Sequence, residues 1–235
     1  MTEQPEAAER APITFATGGA ASHEPAHTIE AFQLARRLGA TGVHSTVWLT
    51  QDDVPVLAHR SSVGRRPFRR DIRSMPADAL PAHVVRLADL YGALADDLDI
   101  SLDIADQEAF SLALATARRY QEASGTPGVD RLWLNHTDWH ALARWRAFDA
   151  DVRLVDKSRL QQMTDGPERR AAQLADAGID TVNMHYSDWT GGLVVLFRRF
   201  DVMSFGWDAQ HKRMIDDLVG MDIDGIYTEH VDRAV

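Results

Sequence analysis

The sequence predicts a single (β/α)8 barrel, a TIM barrel of the α/β class, with an extra hairpin strand after the second barrel strand. Three observations predict it. Short β-branched runs alternate along the chain with longer segments of 3.6-residue period, the mark of strands alternating with helices. Eight such strands can be counted beside one short hairpin partner. The length of 235 residues is close to the minimum for a closed barrel of that kind. An open, doubly wound sheet is the alternative topology. No linker divides the chain, so 12–235 reads as one domain behind a flexible polar tail, 1–11.

The first strand is expected at 12–17 and the first helix at 28–38, where Ile29, Phe32, Ala35 and Leu38 share an inward face. Thr28 is its N-cap, since its hydroxyl can accept from a free backbone N–H of the first turn. Gly39 ends it by permitting positive φ. The second strand, 42–49, is followed after Asp52 and Asp53 by a short strand at 54–58, a gap that suggests a hairpin. Further strands fall near 98–105, 131–136, 152–157, 179–185, 201–207 and 224–229. Between and after them, helices are expected near 107–123, 138–148, 167–177, 191–199 and 210–219. On the first of these, Phe110, Leu112, Leu114 and Ala117 should pack on the barrel.

Composition narrows the function. Apolar residues make up 45% and charged residues 26% of the chain, as in a globular protein with one substantial core. There is no cysteine, which excludes disulfides, thiolate zinc sites and thiol nucleophiles. Thirty-five acids against twenty-five bases argue against a sequence-independent nucleic-acid binder. No apolar run approaches the roughly 20 residues that span a bilayer, and the first dozen residues are acidic and polar, so a cytoplasmic protein without a membrane span is expected. Oligomeric state is left open.

In such a barrel the chemistry sits at the carboxyl ends of the strands, around the open mouth. Those ends give Thr17 and Gly18; His44 and Thr46; Asp103; Asn135 and His136; Asp156 and Lys157; Asn183 and His185; Trp207 and Asp208; Glu229 and His230. His59 ends the hairpin strand. The rim is polar and rich in imidazole on otherwise apolar strands. Taken singly, each such His or Asn also has a plain structural reading, as a partner for loop backbone.

Several segments are similar to the glycerophosphodiester phosphodiesterases. Pro25-Ala-His-Thr28 and the helix after it resemble that family's Pro-Glu-Asn-Thr segment, and the glycines at 39 and 42 resemble its entry to the second strand. The run from Val47 to His59 resembles its second strand, hairpin and histidine, while Gly206, Trp207 and the stretch from Asp222 to Glu229 resemble its last two strands. The resemblance spans nearly the whole chain from Phe15. It implies a barrel that hydrolyses or cyclises phosphodiesters, with two histidines as acid and base around a divalent cation held by carboxylates.

Carried over residue by residue, most of that machinery is replaced. The family's His-Arg pair falls on Thr17 and Gly18, its Glu-x-Asp metal ligands on His44 and Thr46, and its lysine after the third-strand carboxylate on Ala105. His59 stands at the second catalytic histidine and Asp103 at the third carboxylate. Hard cations prefer several oxygen ligands, so no cofactor is expected; a softer divalent ion on His44, His59 and Asp103 is the one metal arrangement conceivable.

The resulting expectation is a repurposed enzyme doing metal-independent acid–base chemistry on an anionic or phosphate-bearing small molecule. His59, Asp103, Lys157 and His185 are its candidate catalytic groups. Thr17, His44, Thr46, Asn135, Asn183, Trp207, Glu229 and Arg60 are its candidate binding groups. The alternatives are a phosphodiester hydrolase with altered metal ligation and a non-catalytic binding protein. Lys157, one of only two lysines, also has a plain reading as part of a surface turn with Asp156. The arginines at 60, 65, 66, 69, 70 and 73 read equally as an anion-facing or a merely solvated segment. Trp48, Trp133 and Trp207 are expected to pack the barrel, Trp207 near its mouth.

Overall fold

The computed structural model describes residues 11–65, 67–94 and 98–234. The expected tail, apart from Ala11, and Arg66 of the arginine-rich segment lie outside the described residues. In chain order the strands are β1 (Ile13–Thr17), β2 (Gly42–Leu49), β3 (Pro55–Leu57), β4 (Ser62–Val63), β5 (Arg70–Asp71), β6 (Asp99–Ile104), β7 (Leu132–His136), β8 (Arg153–Ser158), β9 (Thr181–His185), β10 (Met203–Trp207) and β11 (Gly225–Thr228). The helices are α1 (Ile29–Arg37), α2 (Leu87–Ala93), α3 (Glu108–Ser124), α4 (Trp139–Arg146), α5 (Pro167–Asp176), α6 (Gly191–Arg198) and α7 (Lys212–Gly220).

Eight parallel strands pair in the order β1-β2-β6-β7-β8-β9-β10-β11, and β11 pairs back to β1, so the sheet closes. β3 pairs antiparallel with the end of β2, outside the ring, as the hairpin spacing predicts. Expected and observed elements agree to within about two residues at each end. Two features were not expected. The arginine-rich stretch contains the small antiparallel pair β4 and β5. Short α2 supplies the helical layer after β2 through Leu87, Leu90 and Tyr91, which are buried.

Parallel strands buried on both faces need apolar residues at both parities. The outward set, including Val43, Leu102, Leu134, Leu154, Val182 and Ile226, joins one core with Phe32, Leu114, Leu142, Leu174, Phe197 and Leu218 from the helices. Thr28 caps α1 by accepting from the Ala31 N–H at 3.2 Å. Inside the barrel, Phe15, Trp133, Val155, Phe205 and Tyr227 form a separate cluster. Phe15 stacks on Tyr227 at 4.6 Å, and Phe205 lies 5.1 Å from the Trp133 ring.

Two inward glycines make room for these rings. A Cβ on Gly42 would lie 2.6 Å from the Phe15 ring, and one on Gly225 would lie 2.6 Å from the Phe205 ring. Small positions opposite large ones let the plug reach close packing. Beneath it, the Arg153 guanidinium sits 4.5 Å from the Trp133 centroid and 4.0 Å from Asp99. Among the described residues no helix is long and apolar enough to cross a membrane.

Candidate functional site

The site is the next layer up from the aromatic plug. Residues paired across parallel strands face the same way, and the register links Phe15 with Gly42, Thr17 with His44, His44 with Ser101 and Thr46 with Asp103. It continues from Asp103 to Asn135, from Lys157 to Asn183 and from His185 to Trp207. Because Phe15, Trp133, Val155 and Phe205 fill the barrel, every one of these strand-borne site residues faces its axis. The rim read from the sequence is therefore largely one interior layer.

Asp103 is its electrostatic centre. One carboxylate oxygen accepts from Lys157 Nζ at 2.5 Å, and the other lies 3.2 Å from His44 Nε2. Burial alone would raise the Asp103 carboxyl, but His44 and then Lys157 outweigh it and hold the group well below the usual carboxylate range. The surface-turn reading of Lys157 is thereby corrected: neighbours on a strand face opposite ways, so Lys157 enters the barrel and Asp156 leaves it. Asp156 is buried under the helices, 3.8 Å from Arg170. Burial pushes its carboxyl up to about 7, with Arg170 opposing and Asp138 adding to the rise.

A hydrogen-bonded floor supports this layer. Tyr227 and Ser101 share a hydrogen bond of 2.8 Å, and Asn135 Nδ2 donates to Ser101 Oγ at 2.7 Å and to the Leu102 carbonyl at 3.2 Å. The His44 ring stands edge-on to Tyr227 at 5.0 Å. Burial pushes the Tyr227 phenol up, so it serves as a neutral hydrogen-bonding group.

Beside this centre opens a cleft of about 570 Å3, lined by Thr17, His27, His59, Arg60, His83 and Glu229 among others. Exposed His59 faces His27, their ring centroids 6.0 Å apart and their planes 29° from parallel. Sequence reasoning missed His27, whose partners Ser45 and Gly18 meet it only in the fold. The available signal was the loop motif itself: His27 stands where the resembled segment carries asparagine, and its φ of 63° is one that asparagine and histidine tolerate better than most residues. Its Nδ1 lies 2.8 Å from Ser45 Oγ. Burial, followed by the charges of His44 and His59, pushes its pKa down to about 4.

Other candidates are not brought to the Asp103 centre. His185 pairs with Ser187 Oγ at 2.7 Å and with Asp208 at 3.4 Å, and it meets the Trp207 ring edge-on, so it belongs to the β9–β10 side of the mouth. Glu229 and Arg60 sit on the cleft wall. Asn183, beside Lys157 in register, and Asn135 do belong to the interior layer; both are buried, and among the described residues neither Oδ1 has a hydrogen-bond partner. The divalent cation implied by the resemblance does not fit these residues. Among the described residues no three His, Asp or Glu side chains group closely enough to hold a metal, and the one inward carboxylate of the upper layer is already occupied by His44 and an ammonium. His44, His59 and Asp103 do not converge as a ligand set.

No family model matches the chain, and no curated protein matches it in sequence. Solved structures do match in shape. A Silicibacter pomeroyi DSS-3 protein assigned to the glycerophosphoryl diester phosphodiesterases is 20% identical, with a TM-score of 0.83 over 95% of this chain and 92% of that one. The Thermotoga maritima glycerophosphodiester phosphodiesterase is 18% identical, with a TM-score of 0.77 over 95% and 96% of the two chains. An Oleispira antarctica phosphodiesterase, solved in complex with the product sn-glycerol-3-phosphate, is 14% identical, with a TM-score of 0.80 over 95% of each chain. At these identities the likeness establishes the fold, and this chain is built on the barrel that glycerophosphodiester phosphodiesterases use.

Proposed function

We propose that the protein is a cytoplasmic phosphodiesterase-like enzyme that acts on a small phosphate-bearing anion, without a resident divalent cation. The observation that carries this reading is the Lys157 ammonium held 2.5 Å from Asp103 at the centre of the mouth. A fixed positive charge there can attract and orient a phosphate, while Asp103 and His44 hold it in place. His59, exposed on the cleft wall, supplies proton transfer. A hydroxyl attacks phosphorus, the new P–O bond forms as the bond to the leaving alkoxide breaks, and the proton released by the attacking hydroxyl ends on the departing oxygen. Thr17, Thr46, Arg60 and Glu229 would contact the ligand from the β1–β2 side. Asn135, Asn183, His185 and Trp207 would do so from the opposite side.

The test is turnover of glycerophosphocholine with chelator, Mg2+ or Ca2+. The expected rates agree within about twofold, and Lys157→Met lowers kcat/KM by about 100-fold or more, the usual scale for losing a preorganised charge at the reacting centre. Hydrolysis that needs a divalent ion and disappears in Asp103→Asn would overturn the reading in favour of metal-assisted hydrolysis. Binding of phosphate esters with no turnover of any tested diester would overturn its catalytic half.

A further inference from the structure

The cleft holds an imidazole that neither the strand-end pattern nor the family resemblance assigns a role. His27 lies in the loop between β1 and α1, and its backbone N–H donates to the Gly18 carbonyl at 2.8 Å, which ties the residue to the end of the first barrel strand. Gly18 is tied in turn to β2 by donating its N–H to the His44 carbonyl at 2.8 Å. The ring is thus mounted on the scaffold, although its residue lies in a loop.

The ring also has a defined orientation. Ser45 is 2% exposed, and its hydroxyl has His27 Nδ1 as its one hydrogen-bond partner among the described residues, at 2.8 Å. A buried hydroxyl needs an acceptor for its proton, and the assignment that satisfies it has Ser45 Oγ–H donating to Nδ1 with the ring proton on Nε2. Nε2–H is then the donor His27 can offer to the cleft it lines.

We propose that His27 is an anion-binding residue of this cleft, donating its Nε2–H to a phosphate oxygen in the space where the resemblance places an arginine side chain at position 18. The inference rests on the phosphate-directed reading of the mouth. Its support is steric. A Cβ on Gly18 would lie 3.1 Å from the Ala26 Cβ and 3.3 Å from His27 Nε2, at a φ of 68° that favours glycine. A side chain at position 18 would therefore crowd the His27 ring on a backbone that itself favours glycine, and Gly18 leaves the ring its place. Burial and the neighbouring His44 and His59 push His27 down to about 4, so it binds as an uncharged donor at neutral pH. A neutral imidazole used this way stabilises developing negative charge without itself giving up a proton.

The experiment uses histidine-labelled protein, read by the imidazole nitrogen resonances while inorganic phosphate is added. The expected free state is the Nε2–H tautomer of His27, with Nε2 shifting saturably as phosphate binds. His27→Asn, which suits the positive φ but cannot reach as far, should weaken phosphate binding by about tenfold, the scale of one hydrogen bond to a charged group. Ser45→Ala should weaken it several-fold by freeing the ring. A resting Nδ1–H tautomer would overturn the proposal even if neither variant folds. So would phosphate that shifts His44 while leaving His27 unmoved and binds His27→Asn as tightly as the wild type; that result would leave the wider phosphate reading standing. Phosphate that perturbs no histidine of the mouth would overturn both.

Discussion

On the same eight strands, one inward position apart, the barrel interior changes its chemistry. The lower layer is Phe15, Trp133, Val155, Phe205 and Tyr227, a plug whose rings pack against inward glycines on neighbouring strands. The upper layer is Thr17, His44, Thr46, Asp103, Lys157 and Asn183, with an ion pair at its centre. Tyr227 belongs to both, its ring in the plug and its hydroxyl bonded to Ser101 beneath Asp103. A charged centre can be enclosed in so small a barrel because the layer beneath it is rigid. Close-packed rings fix the backbone from which His44, Asp103 and Lys157 project, and a charge so fixed does not have to reorganise when a ligand arrives.

The largest effect expected from breaking that division of labour is on the plug. Phe205 contacts Phe15, Trp133 and Tyr227 at centroid distances of 5.5, 5.1 and 6.0 Å and is completely buried. Phe205→Ala should cost about 3–5 kcal/mol, because the ring's transfer energy is lost and a rigid barrel collapses little around the cavity. Denaturant unfolding measures it. A loss below about 1 kcal/mol would mean that the lower layer is not the support the upper layer depends on.

The ion pair should matter less for stability and more for pH dependence. Lys157→Met leaves Asp103 with His44 alone, for an expected loss of about 1–3 kcal/mol at neutral pH, below what one-sided removal from a fully buried pair costs because both side chains keep some contact with water. The folded-state pKa of Asp103 is depressed, so its contribution is complete above the unfolded carboxyl value of about 4 and is lost as pH falls through the folded value. Removing Lys157 raises that folded value. The stability gap between wild type and variant should therefore be widest at neutral pH and narrow in strong acid, as unfolding midpoints followed from neutral to acidic pH will show. A gap that widens toward acid would reverse the assigned partnership.

The two layers also differ in how far the sequence reveals them. Periodicity places β2 and β8 readily, yet in a parallel barrel both faces of each strand are buried, so alternation does not say which parity meets the axis. That is why Asp156 and Lys157 read together as a turn when one faces the helices and the other meets Asp103. His27 escaped because its role depends on Ser45 and Gly18, contacts that only folding creates. Short α2 and the β4–β5 pair escaped for a different reason, being too brief to build a periodic signal against the surrounding charge. The positions of His59 and Asp103 at the mouth were legible from the hairpin and the strand end, while their candidate roles came from the family resemblance.

The smallest stability effect, and the sharpest contrast with the plug, is expected at His59. Its side chain is exposed on the cleft wall beside His27, outside the aromatic cluster, so deleting the ring removes little packing. His59→Ala should shift unfolding by no more than about 0.5 kcal/mol, as substitutions away from buried features usually do. Its catalytic effect should run the other way. If His59 moves the proton, kcat for a phosphodiester substrate falls by about a hundred- to ten-thousand-fold while phosphate binding persists, since positioned acid–base catalysis is of that size. An imidazole added in solution should then restore part of the rate, because the space left by the ring opens to the cleft. A folded His59→Ala protein that turns over diesters within a few-fold of wild type would remove His59 from the chemistry, leaving proton transfer to the groups inside the barrel.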